Sequence, residues 1–413
     1  MDYIELNLSL NTPFLPGSAD ANRIDQDWPL RPSEVKGIWR WWARALVAGT
    51  LFDRGLLHGR AVKDLVKVTS REEVSCISRI TGLYLGLGYA GGKDSKASCF
   101  KIMINPSTQQ YSPQSVNPNL ANQLQRIKLL TLGKRSIEYI DRAFITLRIS
   151  ENIPCDLGKE AMEASLSALA LAFRYSCFGK GGRRGLGCFS IKPYGQYSKF
   201  FLMNDQELLN TSVSNVSKVV DHVLKQGECR KLEERNIGNC ELPPMPIISK
   251  NPNYINCVEQ RETGDTVMPL KSLSPYNLFI VKGSNLLNMI HNFFLRPNRA
   301  RVLLGNPRLS DRLRLTLNAW VLGLPREQRN TGYFITGNAN RRASPILVTV
   351  HDNKAYISVF TSADWPKELK WRGADVKPIP IDEPRVIDAT FIALQELISY
   401  LKRNNLQVNQ IWP

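Results

Sequence analysis

LRPSEVKGIWRWWARAL, residues 30–46, sets the reading of this chain, because its periodicity is helical. Val35, Ile38, Trp39, Trp42 and Leu46 recur at i, i+3, i+4, i+7 and i+11, one continuous apolar stripe. Lys36, Arg40 and Arg44 form a second row on the same helix. Like charges at that spacing repel, and Glu34 is the sole acid near them. A solvated basic face over an aromatic anchor would account for such a row. The missing acidic partners, with Arg31 just ahead of the Pro32 turn, favour a phosphate ligand instead.

Outward from this helix, strands and helices alternate. Tyr3–Leu10 alternates apolar and polar residues and reads as a strand. After the helix at about Ser33–Ala48 comes a second at about Ala61–Arg79, then a strand at Cys99–Ile104. Residues 105–123 read as a surface loop. A strand at Arg142–Ser150, a helix at Lys159–Ser176 and a strand at Leu186–Lys192 close the half. The order suggests an α+β unit of ferredoxin-like type, with helices on one face of an antiparallel sheet. Residues 200–245 read as a connection. Beyond it a strand at Asn277–Lys282, a helix at Asn285–Leu295, strands at Pro345–His351 and Ala355–Phe360, and a helix at Ile387–Arg403 repeat the pattern loosely. Two domains, 1–200 and 201–413, suit a chain of 413 residues.

GKGGRRGLG, residues 179–187, stands between a helix and a strand. Five glycines in nine positions permit positive φ and close approach of a ligand to the backbone. The N–H groups of Gly181 and Gly182 can cup a phosphate, while Lys180, Arg183 and Arg184 supply charge. No Gly-Lys-Ser/Thr closes the segment, so it is not a nucleotide P-loop. Residues 296–342 hold ten arginines, no lysine and two acids, Asp311 and Glu327, and end in Arg341-Arg342. Arginine at that density suits either phosphate or an acidic protein surface.

Composition agrees with a polyanionic partner. The formal net charge is +17, shared between both halves, and the hydrophobic fraction of 43% is that of a folded protein. Eight cysteines never form a Cys-x-x-Cys pair and only four histidines are present, so neither a zinc site nor a disulfide framework is expected. No signal peptide and no apolar run near 20 residues is present, which points to a reduced, cytoplasmic protein without membrane contact. Gly86-Leu-Gly88-Tyr-Ala-Gly91 fits a dinucleotide fingerprint formally. It leads into a strand rather than a helix, so Lys93 and Lys96 are read as a basic loop. No metal or other cofactor is expected, and no carboxylate cluster suggests a two-metal nuclease.

TPFLPGSAD at 12–20 followed by LRPSEVKGIWRWWARAL resembles the N-terminal signature of the RAMP superfamily of CRISPR systems. GKGGRRGLGCFSI resembles that superfamily's glycine-rich loop. LGLP at 322–325 and RRASPILV at 341–348 are similar to second-half motifs of the first subunits of type III-B (Cmr) effectors. The chain departs from them at LYLGLG, residues 83–88, where the family has a short Phe-Gly turn. The resemblance implies two ferredoxin-like (RRM-like) RAMP domains in tandem and no nuclease activity. It also implies a place in a Cmr complex, beside other RAMP subunits, near the 3′ end of the guide RNA and the incoming target RNA. Sequence would then be read by base pairing, leaving the protein to grip backbones. Arg31, Lys36, Arg40, Arg44, Lys93, Lys180, Gly181, Gly182, Arg183, Arg184, Arg341 and Arg342 are the residues expected to do so. Two alternatives stay open: a metal-independent guide-processing endoribonuclease using His58 as a general base, and a scaffold whose arginines meet only protein.

Overall fold

Alternation along the first strand decides which face of the first sheet is buried. Ile4, Leu6 and Leu8 are buried while Glu5, Asn7 and Ser9 are not. The computed structural model describes residues 2–17, 23–24, 29–105, 110–131, 137–258, 270, 272–324, 326–328, 331–335, 342–372 and 378–413. In chain order the first part is β1 (Asp2–Leu10), α1 (Pro32–Asp53), α2 (Arg71–Arg79), β2 (Phe100–Ile104), β3 (Gln110–Ser115), α3 (Pro118–Gln123), α4 (Gln125–Thr131), β4 (Glu138–Glu151), α5 (Gly158–Tyr175), β5 (Phe189–Tyr194), α6 (Lys199–Leu202) and α7 (Asp205–Lys225). The rest is β6 (Tyr276–Lys282), α8 (Leu286–Phe293), α9 (Arg296–Leu304), α10 (Arg312–Leu315), β7 (Arg326–Gln328), β8 (Thr331–Phe334), β9 (Ile346–His351), β10 (Lys354–Phe360), β11 (Glu368–Arg372), β12 (Ile379–Pro380), α11 (Glu383–Arg403) and β13 (Gln407–Trp412).

The fold is mixed α and β with antiparallel sheets. The first sheet has the order β2-β4-β1-β5, with β3 also paired to β4; the second has β13-β6-β10-β9; a small third has β12-β11-β8-β7. Beneath the first sheet, α1 and α5 place Trp39, Trp42, Leu46, Leu166 and Leu169 in one core with Leu6 and Leu147. Helix α7 buries Leu208, Leu209, Val216 and Val220 in that same core, so a stretch read as connection is part of the packing. The second sheet is covered on both sides. Tyr276, Leu278 and Phe360 face the first core, while Phe279, Val281 and Ile357 join α11 in the second.

The halves are joined by buried aromatic contacts and by backbone bonds. The Trp42 ring lies 6.2 Å from that of Tyr276 and 5.9 Å from that of Phe360, and its Nε1 donates to Ser176 Oγ at 2.7 Å. The expected helix over 61–79 is corrected: only Arg71 onward is helical. The stretch before it bonds across to the second half, Val66 N to Trp365 O at 2.8 Å and Lys367 N to Asp64 O at 3.0 Å. Ser70 and Glu73 then start the helix with a reciprocal cap. The surface loop expected over 105–123 is replaced by β3 and α3, with 106–109 outside the described residues.

The expectation of no disulfides is also corrected. Cys76–Cys229, Cys177–Cys188 and Cys240–Cys257 are bonded pairs. Their separations of 153, 11 and 17 residues follow from the fold and leave no spacing code to read. Among the described residues no helix is long and apolar enough to cross a membrane, and no group of three or more metal-ligating side chains forms.

Candidate anion-binding cavity between the halves

Glu34 ties the two sequence signatures together. It lies in the first turn of α1, and its Oε1 accepts the Gly179 N–H at 2.6 Å, anchoring the glycine-rich loop to the helix start. Burial raises the Glu34 pKa, opposed by that N–H and by Arg31. The loop's other supports are backbone bonds: Lys180 N to Leu15 O at 2.7 Å and Gly187 N to Pro13 O at 2.9 Å. Gly179 and Gly187 have φ of 77° and 74°, and a Cβ on either would meet backbone oxygen at 2.5 and 2.2 Å. Only glycine suits both positions. The Cys177–Cys188 disulfide closes the base.

The far side of the loop belongs to the second half. Val348 N donates to Arg183 O at 3.2 Å, and His291 Nε2 to Arg184 O at 2.7 Å. Arg184 reaches Ile346 O and Leu322 O at 2.9 and 3.0 Å, with its guanidinium 3.7 Å from the Phe294 ring centre. Arg183 donates to Ser344 O at 2.7 Å. Loop, helix and second sheet thereby enclose an open cavity of about 880 Å³. Its cations are Arg126, Arg183, Arg184 and Arg342, its acid is Glu34, and its apolar wall includes Ile38, Trp41, Leu129 and Phe294.

Arg183 and Arg342 differ in how they are neutralised. Arg342 pairs with Asp364 at 2.8 Å and lies over the Trp365 ring. The Arg183 side chain is exposed to the cavity. Desolvation by the surrounding chain, with Arg342 nearby and Asp364 opposing, lowers its pKa to about 10.

The other expected residues lie elsewhere. Glu34, Gly37, Ile38 and Trp41 point α1 at the cavity, whereas Lys36, Arg40 and Arg44 sit roughly a third of a turn around the helix. Arg40 donates to the Gly88 carbonyl, and both Lys36 and Arg40 have pKa values lowered by burial and by the next cation in the row. Arg44 and Lys93 are exposed, and Arg31 is exposed at the N-cap of α1. Arg341 lies outside the described residues. In the arginine-rich segment Arg299 is buried and paired with Asp311 at 2.8 Å and Arg312 bonds Gln395, while Arg301 and Arg308 are exposed. His58 lies away from the cavity, its Nε2 at 2.6 Å from Gly55 O and its Nδ1 at 3.8 Å from Glu241.

Sequence reading missed Arg126, Trp41 and Phe294. The spacing of Leu124, Ile127 and Leu130 around Arg126 is helical and could have revealed α4. Nothing local marks Trp41 and Phe294, since the partners that make them cavity wall are distant in sequence.

Residues 7–190 match the family model of the RAMP superfamily. Over its full length the chain is similar to Cmr1 from Pyrococcus furiosus in an apo crystal structure, at 15% identity over 99% of both chains, with a TM-score of 0.45. It is also similar to a chain in a cryo-EM structure of type III-B Cmr-beta bound to cognate target RNA and AMPPnP in the presence of ssDNA. That likeness has 13% identity over 97% of this chain and 99% of that one, with a TM-score of 0.52, and shows a common fold. No curated protein sequence matches the chain.

Proposed function

We propose that this chain, whose residues 7–190 match the family model of the RAMP superfamily, is a non-catalytic RNA-binding subunit of a type III-B (Cmr) CRISPR effector. It grips the backbone of guide or target RNA near the 3′ end of the guide, beside other RAMP subunits, in the cytoplasm. It is read as two units of ferredoxin-like topology, 1–200 and 201–413. Numbering the four strands of each main sheet in chain order, both sheets read 4-1-3-2, the order of a βαββαβ unit.

The carrying observation is the convergence of the glycine-rich loop, the start of α1 and the Arg342–Ser344 strand entry on one arginine-lined cavity. Arg183 donates to the Ser344 carbonyl, while Arg342 in the same cavity is paired with Asp364. Phosphate contacts by arginine give affinity without sequence choice, whereas the Gly182 N–H expected to cup phosphate turns back to Gly179 O. His58, held against a backbone carbonyl and away from that cavity, supports assigning it a structural role. The test is binding of single-stranded RNA to Arg183→Glu at physiological salt. A loss of tenfold or more is expected; unchanged affinity would overturn the grip.

A further inference from the structure

The two main sheets differ in what covers them. Both faces of the second sheet are buried in hydrophobic cores. The first sheet sends Ile4, Leu6, Leu8, Ile145, Leu147 and Ile149 under α1 and α5, and turns its other face to solvent. The register fixes what that face displays. Ser9 stands beside Phe144 on β4 and Ser190 on β5; Asn7 stands beside Thr146 and Lys192; Glu5 stands beside Arg148 and Tyr194.

Phe144 is 57% exposed and Tyr194 41% exposed. Phe144 belongs to none of the hydrophobic clusters of the described residues, and its neighbours in the row are Ser9 on β1 and Gln110 on β3. Lys101, Arg148 and Lys192 are exposed cations on the same side of the sheet. Glu5 is the one acid in the named rows, and Arg148 pairs with it at 2.7 Å. The face is therefore cationic, flat and set with two separated rings, roughly 17 Å apart from strand spacings.

We propose that this face is a stacking platform for unpaired nucleobases of single-stranded RNA, with Phe144 at its centre, distinct from the arginine cavity. An aromatic ring accepts the flat face of any base, and the surrounding cations draw in the backbone. A protein partner would call for a contiguous apolar patch, whereas here the rings stand apart among serine, threonine and asparagine. The proposal rests on the RNA-binding reading and adds to it a contact made through bases.

The test is fluorescence anisotropy of the full chain with a single-stranded oligoribonucleotide and with an abasic chain of equal length. Phe144→Ala is expected to weaken the base-bearing RNA roughly 5- to 100-fold and to leave the abasic chain unchanged. Phe144→Trp is expected to retain affinity. Equal losses on both chains, or no loss on either, would overturn the platform. So would normal RNA binding by Phe144→Ala combined with failure to join its effector complex, which would mark a protein interface. Arg183→Glu should weaken both chains alike, so failure of the cavity reading and failure of the platform give different patterns.

Discussion

Arg183 and Arg184 are adjacent in sequence and opposite in role. Arg184 donates to two backbone carbonyls of the second half and stacks over Phe294. Arg184→Ala should therefore cost roughly 2–3 kcal/mol of stability, measured by denaturant unfolding, by losing two hydrogen bonds and a cation–π contact. Arg183→Ala loses the one hydrogen bond to Ser344 O and should cost about 1 kcal/mol, less than Arg184→Ala, while weakening RNA. Behind them, burial lowers the His291 pKa to about 4, with its Arg184 carbonyl bond opposing. A depressed histidine pKa means that the unfolded chain takes up a proton near pH 6.5 that the folded chain refuses until about pH 4. Stability should thus be full above pH 6.5 and fall as pH drops through that window, by roughly 3 kcal/mol for this group. Unfolding of wild type and His291→Asn at pH 7 and pH 4.5 checks it. The variant should lose the acid-dependent part.

At the scale of elements, the strands and the long helices were readable because their apolar periods are intact. Ile4, Leu6 and Leu8 alternate, and Val35, Trp39, Trp42 and Leu46 keep helical spacing. Reading failed where a segment takes its conformation from distant chain. Residues 61–70 look helical yet bond to residues 363–367, and cysteines paired by the fold carry no local signature. The positive φ angles of the glycine-rich loop were legible from its composition. Its attachment to β9 and its disulfide-closed base were not. Replacing Cys177 and Cys188 by serine removes that closure, and under oxidising conditions should cost roughly 3 kcal/mol, the loop-entropy value for about eleven residues. In the second half the buried Arg299–Asp311 pair braces α9 against α10. Arg299→Met should cost about 3–5 kcal/mol by stranding the Asp311 carboxylate, and Asp311→Asn in the same chain should recover part of it.

Over the whole molecule, the halves share one core, in which Trp42 meets Tyr175, Tyr276 and Phe360. Trp42→Ala should destabilise by about 3–5 kcal/mol and lower one cooperative unfolding transition for both halves. That shared core matters for binding, because the cavity exists only while the loop of the first half stays docked on the second sheet. The sharpest test of a phosphate grip there is the salt dependence of RNA affinity, comparing wild type with Arg126→Ala/Arg183→Ala. Losing two phosphate contacts should reduce the slope of log affinity against log salt by roughly 1.4, alongside weaker binding. An unchanged slope with unchanged affinity would contradict the assignment of the cavity to RNA.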